Sequence, residues 1–119
     1  MKKRILICDD EETIRLLLTE ALKEEYEAVE VADGRDVLKL VTKEQFDLLI
    51  IDIKMPSIHG LDVIQRIRER GIKIPVIICS AYRLMADDVV VRTSDVAAFI
   101  TKPFDIKALK SKIFEIIGS

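Results

Sequence analysis

Three short apolar runs stand out along the chain: Ile5–Cys8, Leu48–Ile51 and Val76–Cys79. Each is rich in isoleucine and ends where polar or turn-forming residues begin. Such runs are typical of strands that are buried on both faces of a sheet. Two weaker patterns, the alternation at Val29–Val31 and the pair Phe99-Ile100, predict two more strands, so the sequence indicates five in total.

Between these strands, apolar residues recur at spacings of three and four positions, which is typical of amphipathic helices. Gly71 stands where a C-terminal glycine is expected, and Asp105 is a predicted N-cap. The pair Asp33-Gly34 predicts a turn after the second strand. Residues 83–94 have only a loose period and are assigned to a helix from their context. The other helices are predicted over residues 12–25, 37–41, 60–70 and 106–116.

The strict alternation of strands and helices predicts an α/β fold with a parallel sheet covered by helices on both faces. Five such units suit a flavodoxin-like (βα)5 doubly wound three-layer sandwich, whose five-stranded parallel sheet has the strand order 2-1-3-4-5. A chain of 119 residues has room for one domain, which we expect to span residues 1–119.

Composition narrows the class of function. The formal net charge of −2 gives no basic field for direct binding of nucleic acid. No apolar stretch approaches the ~20 residues needed to cross a bilayer, and the lone His59 cannot build a histidine metal site. Cys8 and Cys79 lie in apolar runs, where free thiols pack as small hydrophobes. Reduced cysteines and the lack of a signal sequence predict a cytoplasmic protein.

Acidic residues follow the first and third predicted strands. Asp9 and Asp10 come directly after one, and Asp52 after the other. In the order 2-1-3-4-5 these strands are neighbours, so the three carboxylates converge at one edge and repel one another. A hard divalent cation resolves that conflict, which predicts a Mg²⁺ site with the backbone carbonyl of Lys54 as a further ligand. Mn²⁺ is an alternative ion for the same oxygen ligands.

Two more polar residues reach the same edge from the fourth and fifth strands, Ser80 and Lys102. Phosphoryl transfer requires positioning and charge neutralisation more than covalent help. Asp52 would be the nucleophile, Lys102 would place a positive charge on a phosphoryl oxygen, and Ser80 would donate a hydrogen bond. Taken singly, each residue could be an ordinary surface or turn group, and the acidic pair could simply favour the start of a helix.

Taken together, these residues resemble the receiver domains of response regulators, and the resemblance covers essentially the whole chain. It implies that Asp52 accepts a phosphoryl group from a phosphohistidine on a histidine kinase or phosphotransferase, with Asp9 and Asp10 helping Asp52 to hold Mg²⁺. A receiver promotes its own phosphorylation and dephosphorylation and is not a turnover enzyme. The matching segments are Asp9-Asp10, Asp52–Pro56 with Gly60, Ser80-Ala81 and Lys102–Phe104.

The same resemblance implies a switch made of Ser80 and Phe99, which would remodel a face built from residues 83–94, the fifth strand and the last helix. Phe99 could instead be a plain core residue. Asp95 replaces a glycine that is usual in the family, and Val89–Val91 is unusually apolar for that helix. Within the family, Lys54, Tyr82 and the segment Lys102–Ile106 are most similar to single-domain receivers of sporulation phosphorelays.

The first predicted helix has more apolar residues than one buried stripe needs, because Leu16 lies off the arc that contains Ile14 and Leu17. This excess could dock the helices of a phosphoryl donor, with Pro103 and Phe104 on the other side of the site. Scattered surface hydrophobes are the alternative explanation.

We therefore expect a stand-alone response regulator that relays the phosphoryl group or signals through a downstream protein. It would be a monomer, with dimerisation on phosphorylation as a further option. A pseudo-receiver that binds partners without phosphorylation is the main alternative. The presence of all three acids and Lys102 argues against it, because such a protein would not need them. An aspartyl phosphohydrolase would need a second acid where this chain has Lys54. Nucleotide or flavin binding is disfavoured because no glycine-rich loop follows the first strand.

Overall fold

The computed structural model describes residues 2–81 and 96–118, which form a five-stranded parallel sheet with the order β2-β1-β3-β4-β5. The predicted strand order and parallel direction are therefore confirmed. The strands are β1 (Lys3–Cys8), β2 (Tyr26–Val31), β3 (Leu48–Ile51), β4 (Val76–Ser80) and β5 (Ala98–Thr101).

Helices cover both faces of this sheet, as the alternating pattern predicts. The helix predicted over 83–94 lies outside the described residues, as do Tyr82, Val89–Val91 and Asp95. The described helices are α1 (Glu12–Leu22), α2 (Gly34–Lys43), α3 (Gly60–Glu69) and α4 (Ile106–Ile117). None of these four is long and apolar enough to cross a membrane.

The core has two parts, one on each face of the sheet, because side chains alternate along a strand. Leu6 and Cys8 of β1 pack with α2 and α3, whereas Ile5 and Ile7 pack with α1 and α4. Cys79 belongs to the second part, so the two cysteines lie in different layers. Both are free and buried. Burial raises the pKa of each thiol to about 12, so both pack as neutral small hydrophobes, as predicted.

Several boundaries differ from the predicted ones, and α1 ends at Leu22 although it was predicted to reach residue 25. β2 begins at Tyr26, three residues early, because that side chain is buried and its hydroxyl donates a hydrogen bond to the Gly118 carbonyl (2.8 Å). The pair Asp33-Gly34 does not form an isolated turn. Asp33 instead caps α2 by accepting a hydrogen bond from the Arg35 amide (2.8 Å), so the helix begins at Gly34.

The apolar arc of α1 that contains Ile14 and Leu17 is only partly buried. Leu18 and Leu22 are buried, but Leu17 keeps 47% of its surface exposed and Leu16 keeps 51%. The helix is only eleven residues long and turns a narrow face to the sheet. The two exposed leucines are adjacent and lie outside that face.

The backbone at the start of α3 lies in close contact with the backbone that follows β3. The Gly60 amide donates a hydrogen bond to the Ile53 carbonyl (2.6 Å), just after β3. A Cβ atom at Gly60 would overlap the carbonyl oxygen of Asp52 and lie 2.8 Å from the Ile53 Cα atom. Only glycine fits this contact without displacing the backbone that carries Asp52.

We expect Gly60→Ala to lower the free energy of unfolding by about 3 kcal/mol, since the added methyl group meets rigid backbone. Gly71→Ala is the matched control. Gly71 has φ of +77° but open space around it, so the cost there should be about 1 kcal/mol, from backbone strain alone. Urea unfolding of both variants measures the difference. Equal losses would mean that the backbone contact at Gly60 is not tightly packed.

Candidate functional site

Parallel pairing of β1 with β3 brings two acidic strand ends together. Cys8 lies beside Ile51 in the register, so Asp9 and Asp52 leave the sheet as neighbours. The Asp52 amide donates a hydrogen bond to the Cys8 carbonyl (3.0 Å), which continues the pairing by one residue. Both side chains are buried although they are acidic, and Asp52 is 6% exposed.

Four acids meet at this edge. Asp9, Asp10, Glu11 and Asp52 each place one carboxylate oxygen within 4.8 Å of the others. Asp10 and Glu11 are exposed, whereas Asp9 and Asp52 form the buried side of the cluster. Such a concentration of negative charge is unfavourable unless a cation lies close by.

Lys102 places a positive charge against this cluster from the end of β5. Its ammonium Nζ lies 2.6 Å from Asp9 Oδ2, 3.4 Å from Asp52 Oδ2 and 3.7 Å from Glu11 Oε1. The backbone positions it, because the Lys102 amide donates a hydrogen bond to the Ser80 carbonyl (2.8 Å) beside the end of β4. A cis peptide bond joins Lys102 to Pro103.

The protonation of Lys102 follows from these contacts. Its side chain is only 10% exposed, and burial acts to lower its pKa. The hydrogen bond to Asp9 and the charges of Asp9, Asp52 and Glu11 outweigh burial, so the pKa of Lys102 is raised. The ammonium therefore remains charged at neutral pH.

An open cavity of about 360 Å³ lies over the cluster. Its wall includes groups from four different strand ends. Ser80, which is buried, is one of the lining residues. The lining residues are Asp10, Glu11, Asp52, Lys54, Met55, Pro56, Ser80, Ala81 and Lys102. The cavity is thus large enough for a small anionic group beside Asp52.

The donor set at this edge fits a hard divalent cation. The clustered side chains offer carboxylate oxygens, and Mg²⁺ prefers oxygen ligands and keeps several of its waters. Asp10 and Glu11 are exposed at the cavity, so their oxygens are accessible from solvent. Asp9, Asp10 and Asp52 are the acids that would hold such an ion.

The remaining predicted residues lie in different surroundings. Phe99, in β5, keeps 43% of its surface exposed, so it is not a plain core residue in this conformation. Ile14 and Phe104 are half-buried and pack against the core layer beneath α1 and α4. Pro103 and Leu17 are exposed.

Sequence reasoning assigned no role to two residues that the structure places at or near the site. Glu11 belongs to the acidic cluster, and its position directly after Asp9 and Asp10 was the available signal. His59 caps α3, because its Nδ1 atom accepts a hydrogen bond from the Leu61 amide (3.2 Å). This contact fixes the end of the loop that joins β3 to α3.

Comparison with known proteins gives the family. The family model of the response regulator receiver domain matches residues 5–114. The chain belongs to this family. It is 35% identical over 116 residues to sporulation initiation phosphotransferase F of Bacillus subtilis, covering 95% of this chain and 92% of that protein. It is 29% identical to the transcriptional regulatory protein PhoP of the same organism, of which it spans about half, 49% of the length.

Solved receiver structures agree in fold. Response regulator protein TrrA of Thermotoga maritima, in complex with Mg²⁺-BeF, is 37% identical, with a TM-score of 0.85 and coverage of 96% of this chain and 98% of that one. The receiver domain of the Francisella response regulator 1452 is 26% identical, with a TM-score of 0.89 and coverage of 98% and 97%.

Membership of the receiver family defines the general activity of this chain. Receiver domains of two-component response regulators are phosphoryl-accepting switches, not turnover enzymes. They bind Mg²⁺ at an acidic pocket and interact with histidine kinases or phosphotransferases. The receiver in this chain therefore takes part in two-component signalling.

We expect Lys102→Met to lower the free energy of unfolding by about 3 kcal/mol, because it leaves buried carboxylates without their cation. Millimolar Mg²⁺ should then raise the melting temperature of this variant more than that of the parent, because the ion replaces the lost charge. Lys110→Met is the matched control, since Lys110 pairs with exposed Glu25 (2.5 Å) and such pairs contribute about 0–1 kcal/mol. Equal responses to Mg²⁺ in the parent and Lys102→Met would contradict the compensating role.

Proposed function

We propose that Asp52 is the phosphoryl acceptor of a stand-alone response regulator. One observation carries the proposal: a buried carboxylate at the end of β3 opens onto a cavity and has the Lys102 ammonium 3.4 Å away. A buried carboxylate beside a fixed positive charge is suited to attack an electron-poor phosphorus atom. The family match, which includes Asp52 and Lys102, supports the same assignment.

The reaction consists of one bond made and one broken. An Asp52 carboxylate oxygen attacks the phosphorus of a phosphohistidine, and the P–N bond breaks with its electron pair passing to the imidazole nitrogen. Lys102 stabilises the charge on a phosphoryl oxygen, and Ser80 donates a hydrogen bond to another. In dephosphorylation, which the domain also promotes, the same group passes to water and the Asp52 carboxylate is restored.

Magnesium completes this site in the proposal. Asp9, Asp10 and Asp52 would bind the ion together with the Lys54 backbone carbonyl, and Mn²⁺ could replace it. When bound, it neutralises charge on the phosphoryl group. Lys102 contacts both Asp9 and Asp52, so it also keeps these two ligands close together.

Ser80 and Phe99 would transmit the change. Ser80 is buried at the cavity, and Phe99 lies on the next strand with a large exposed surface. Movement of the Ser80 hydroxyl onto the phosphoryl group would open space behind it for the Phe99 ring. The altered surface around β5 and α4 would then bind a downstream protein.

The pathway is proposed from the relatives. Sporulation initiation phosphotransferase F is matched over 92% of its length, which supports a single receiver domain over residues 1–119 that relays the phosphoryl group. The donor would be a histidine kinase or phosphotransferase in the cytoplasm. We propose a monomer that can dimerise on phosphorylation and has no direct contact with nucleic acid.

The deciding measurement is intact mass after incubation with a small-molecule phosphodonor, with and without Mg²⁺. We expect one Mg²⁺-dependent phosphoryl adduct on the parent and none on Asp52→Asn. Asp62→Asn is the matched control, because Asp62 is an exposed acid in the first turn of α3. A folded parent that gains no adduct would favour the pseudo-receiver.

A second part of the proposal concerns the donor's docking surface. Leu16 and Leu17 form an exposed apolar pair on the helix that follows the acidic cluster. Ile14 and Phe104 are half-buried against one core layer, beneath α1 and α4, and Pro103 is exposed between Lys102 and Phe104. The helices that carry a donor's phosphohistidine are the proposed occupant of this surface.

We expect Leu17→Ala to slow phosphoryl transfer from a phosphohistidine protein by roughly tenfold, since a few interface residues carry most of the energy of a docking contact. Transfer from a small-molecule donor should stay at the parental rate. Phe114→Ala removes another exposed hydrophobe, on α4, and should change neither rate. An unchanged protein-to-protein rate in Leu17→Ala would remove the docking surface from the proposal.

A further inference from the structure

Asp9 is held at every polar atom. Its amide donates to the Val31 carbonyl (3.2 Å), and Oδ1 accepts a hydrogen bond from the Glu11 amide (2.9 Å). Oδ2 accepts one from Lys102. The remaining polar group of Asp9 is its backbone carbonyl. It lies just beyond Cys8, the last paired residue of β1, so it accepts no hydrogen bond from a neighbouring strand.

Arg15 binds that carbonyl from the next element. Its Nη1 atom donates a hydrogen bond to the Asp9 oxygen at 2.7 Å. The other side of the guanidinium is fixed, since Nε lies 3.1 Å from Glu30 Oε1 on β2. Glu30 is itself held by Thr19, whose hydroxyl donates to Oε2 (3.1 Å). The guanidinium thus bridges the acidic turn and the neighbouring strand.

Besides Arg15, the side chains that hold the turn between β1 and α1 are those of Asp9, which accepts from the Glu11 amide, and Lys102. Glu11 occupies the N-cap position of α1, but its side chain makes no capping hydrogen bond. Three of the four clustered acids, Asp9, Asp10 and Glu11, lie in this turn. Their position relative to Asp52 therefore depends on how the Asp9 backbone is fixed.

We propose that Arg15, anchored by Glu30, is a positioning residue for the acidic site, an inference that rests on the function proposed for Asp52. The guanidinium holds the Asp9 carbonyl so that the turn presents its carboxylates at the correct distance from Asp52. Neither Arg15 nor Glu30 lines the cavity. They act on the metal ligands through the backbone.

The geometry requires arginine, not merely positive charge. Arg15 uses two nitrogen atoms in a planar group to bind Asp9 and Glu30 at once. A lysine ammonium is a single point on a flexible stem and does not reproduce this bridge. Arg15→Lys therefore separates the geometric effect from the general attraction of a cation for nearby acids.

The test measures Mg²⁺ affinity by calorimetry and hydrogen exchange of the Glu11 amide without metal, together with the melting temperature. We expect Arg15→Gln and Arg15→Lys both to raise the Mg²⁺ dissociation constant roughly tenfold, as loss of outer support for ligands does. Exchange at Glu11 should accelerate in both variants. Glu30→Gln should produce a smaller change in the same direction, and the change should vanish when Arg15 is already replaced.

Glu27→Gln is the matched control. Glu27 is on the same strand as Glu30 and pairs with an arginine, Arg4 (2.6 Å), at the opposite end of the sheet. It should leave Mg²⁺ affinity and Glu11 exchange at parental values. Similar effects in Glu27→Gln and Glu30→Gln would overturn the proposal, because a general loss of stability would then explain both.

Two other results also overturn it. One is a parental Mg²⁺ affinity in Arg15→Gln, and the other is parental behaviour of Arg15→Lys, which would mean that only charge matters. The hydrogen-exchange measurement needs neither metal nor phosphodonor. If the parent gains no phosphoryl group, the function proposed for Asp52 fails, while the exchange data still decide whether Arg15 orders the turn.

Discussion

Parallel pairing of β1 with β3 places the ends of both strands at one edge, with Cys8 beside Ile51. Because both strands are buried, their register is fixed by apolar packing on two faces, and a slip of one residue would reverse every side chain. The acids that follow them must therefore share a small volume. Lys102 offsets the repulsion between these carboxylates, since its ammonium lies 2.6 Å from Asp9 Oδ2. The stability of the core thus maintains an arrangement that is electrostatically unfavourable by itself.

The elements that position the site come from separate parts of the chain. Gly60 lets α3 start against the Asp52 backbone, and Arg15 holds the Asp9 carbonyl from α1. The Ser80 carbonyl fixes the Lys102 amide. Each of these contacts acts on the main chain, and the carboxylates of Asp10 and Glu11 remain exposed at the cavity.

Most of the fold could be predicted from the sequence because buried strands require apolar runs. The bounds of β3 were predicted correctly, and so were the N-cap at Asp105 and the end of α3 near Gly71. The meeting of Asp9, Asp52 and Lys102 followed from the strand order. Arg15 could not be predicted, since its partner is a backbone carbonyl whose direction depends on the completed turn. The degree of exposure of Leu17 could not be predicted for a similar reason, because it depends on how α1 lies on the sheet.

The edge strand β2 has a further consequence. Its outer backbone groups have no neighbouring strand in the described sheet, and such edges can pair with other protein chains. Glu27 and Glu30 place carboxylates along it, each joined to an arginine from another element. Charged side chains of this kind discourage strand addition and aggregation. The ion pair that anchors Arg15 therefore also helps to protect the protein from self-association at its open edge.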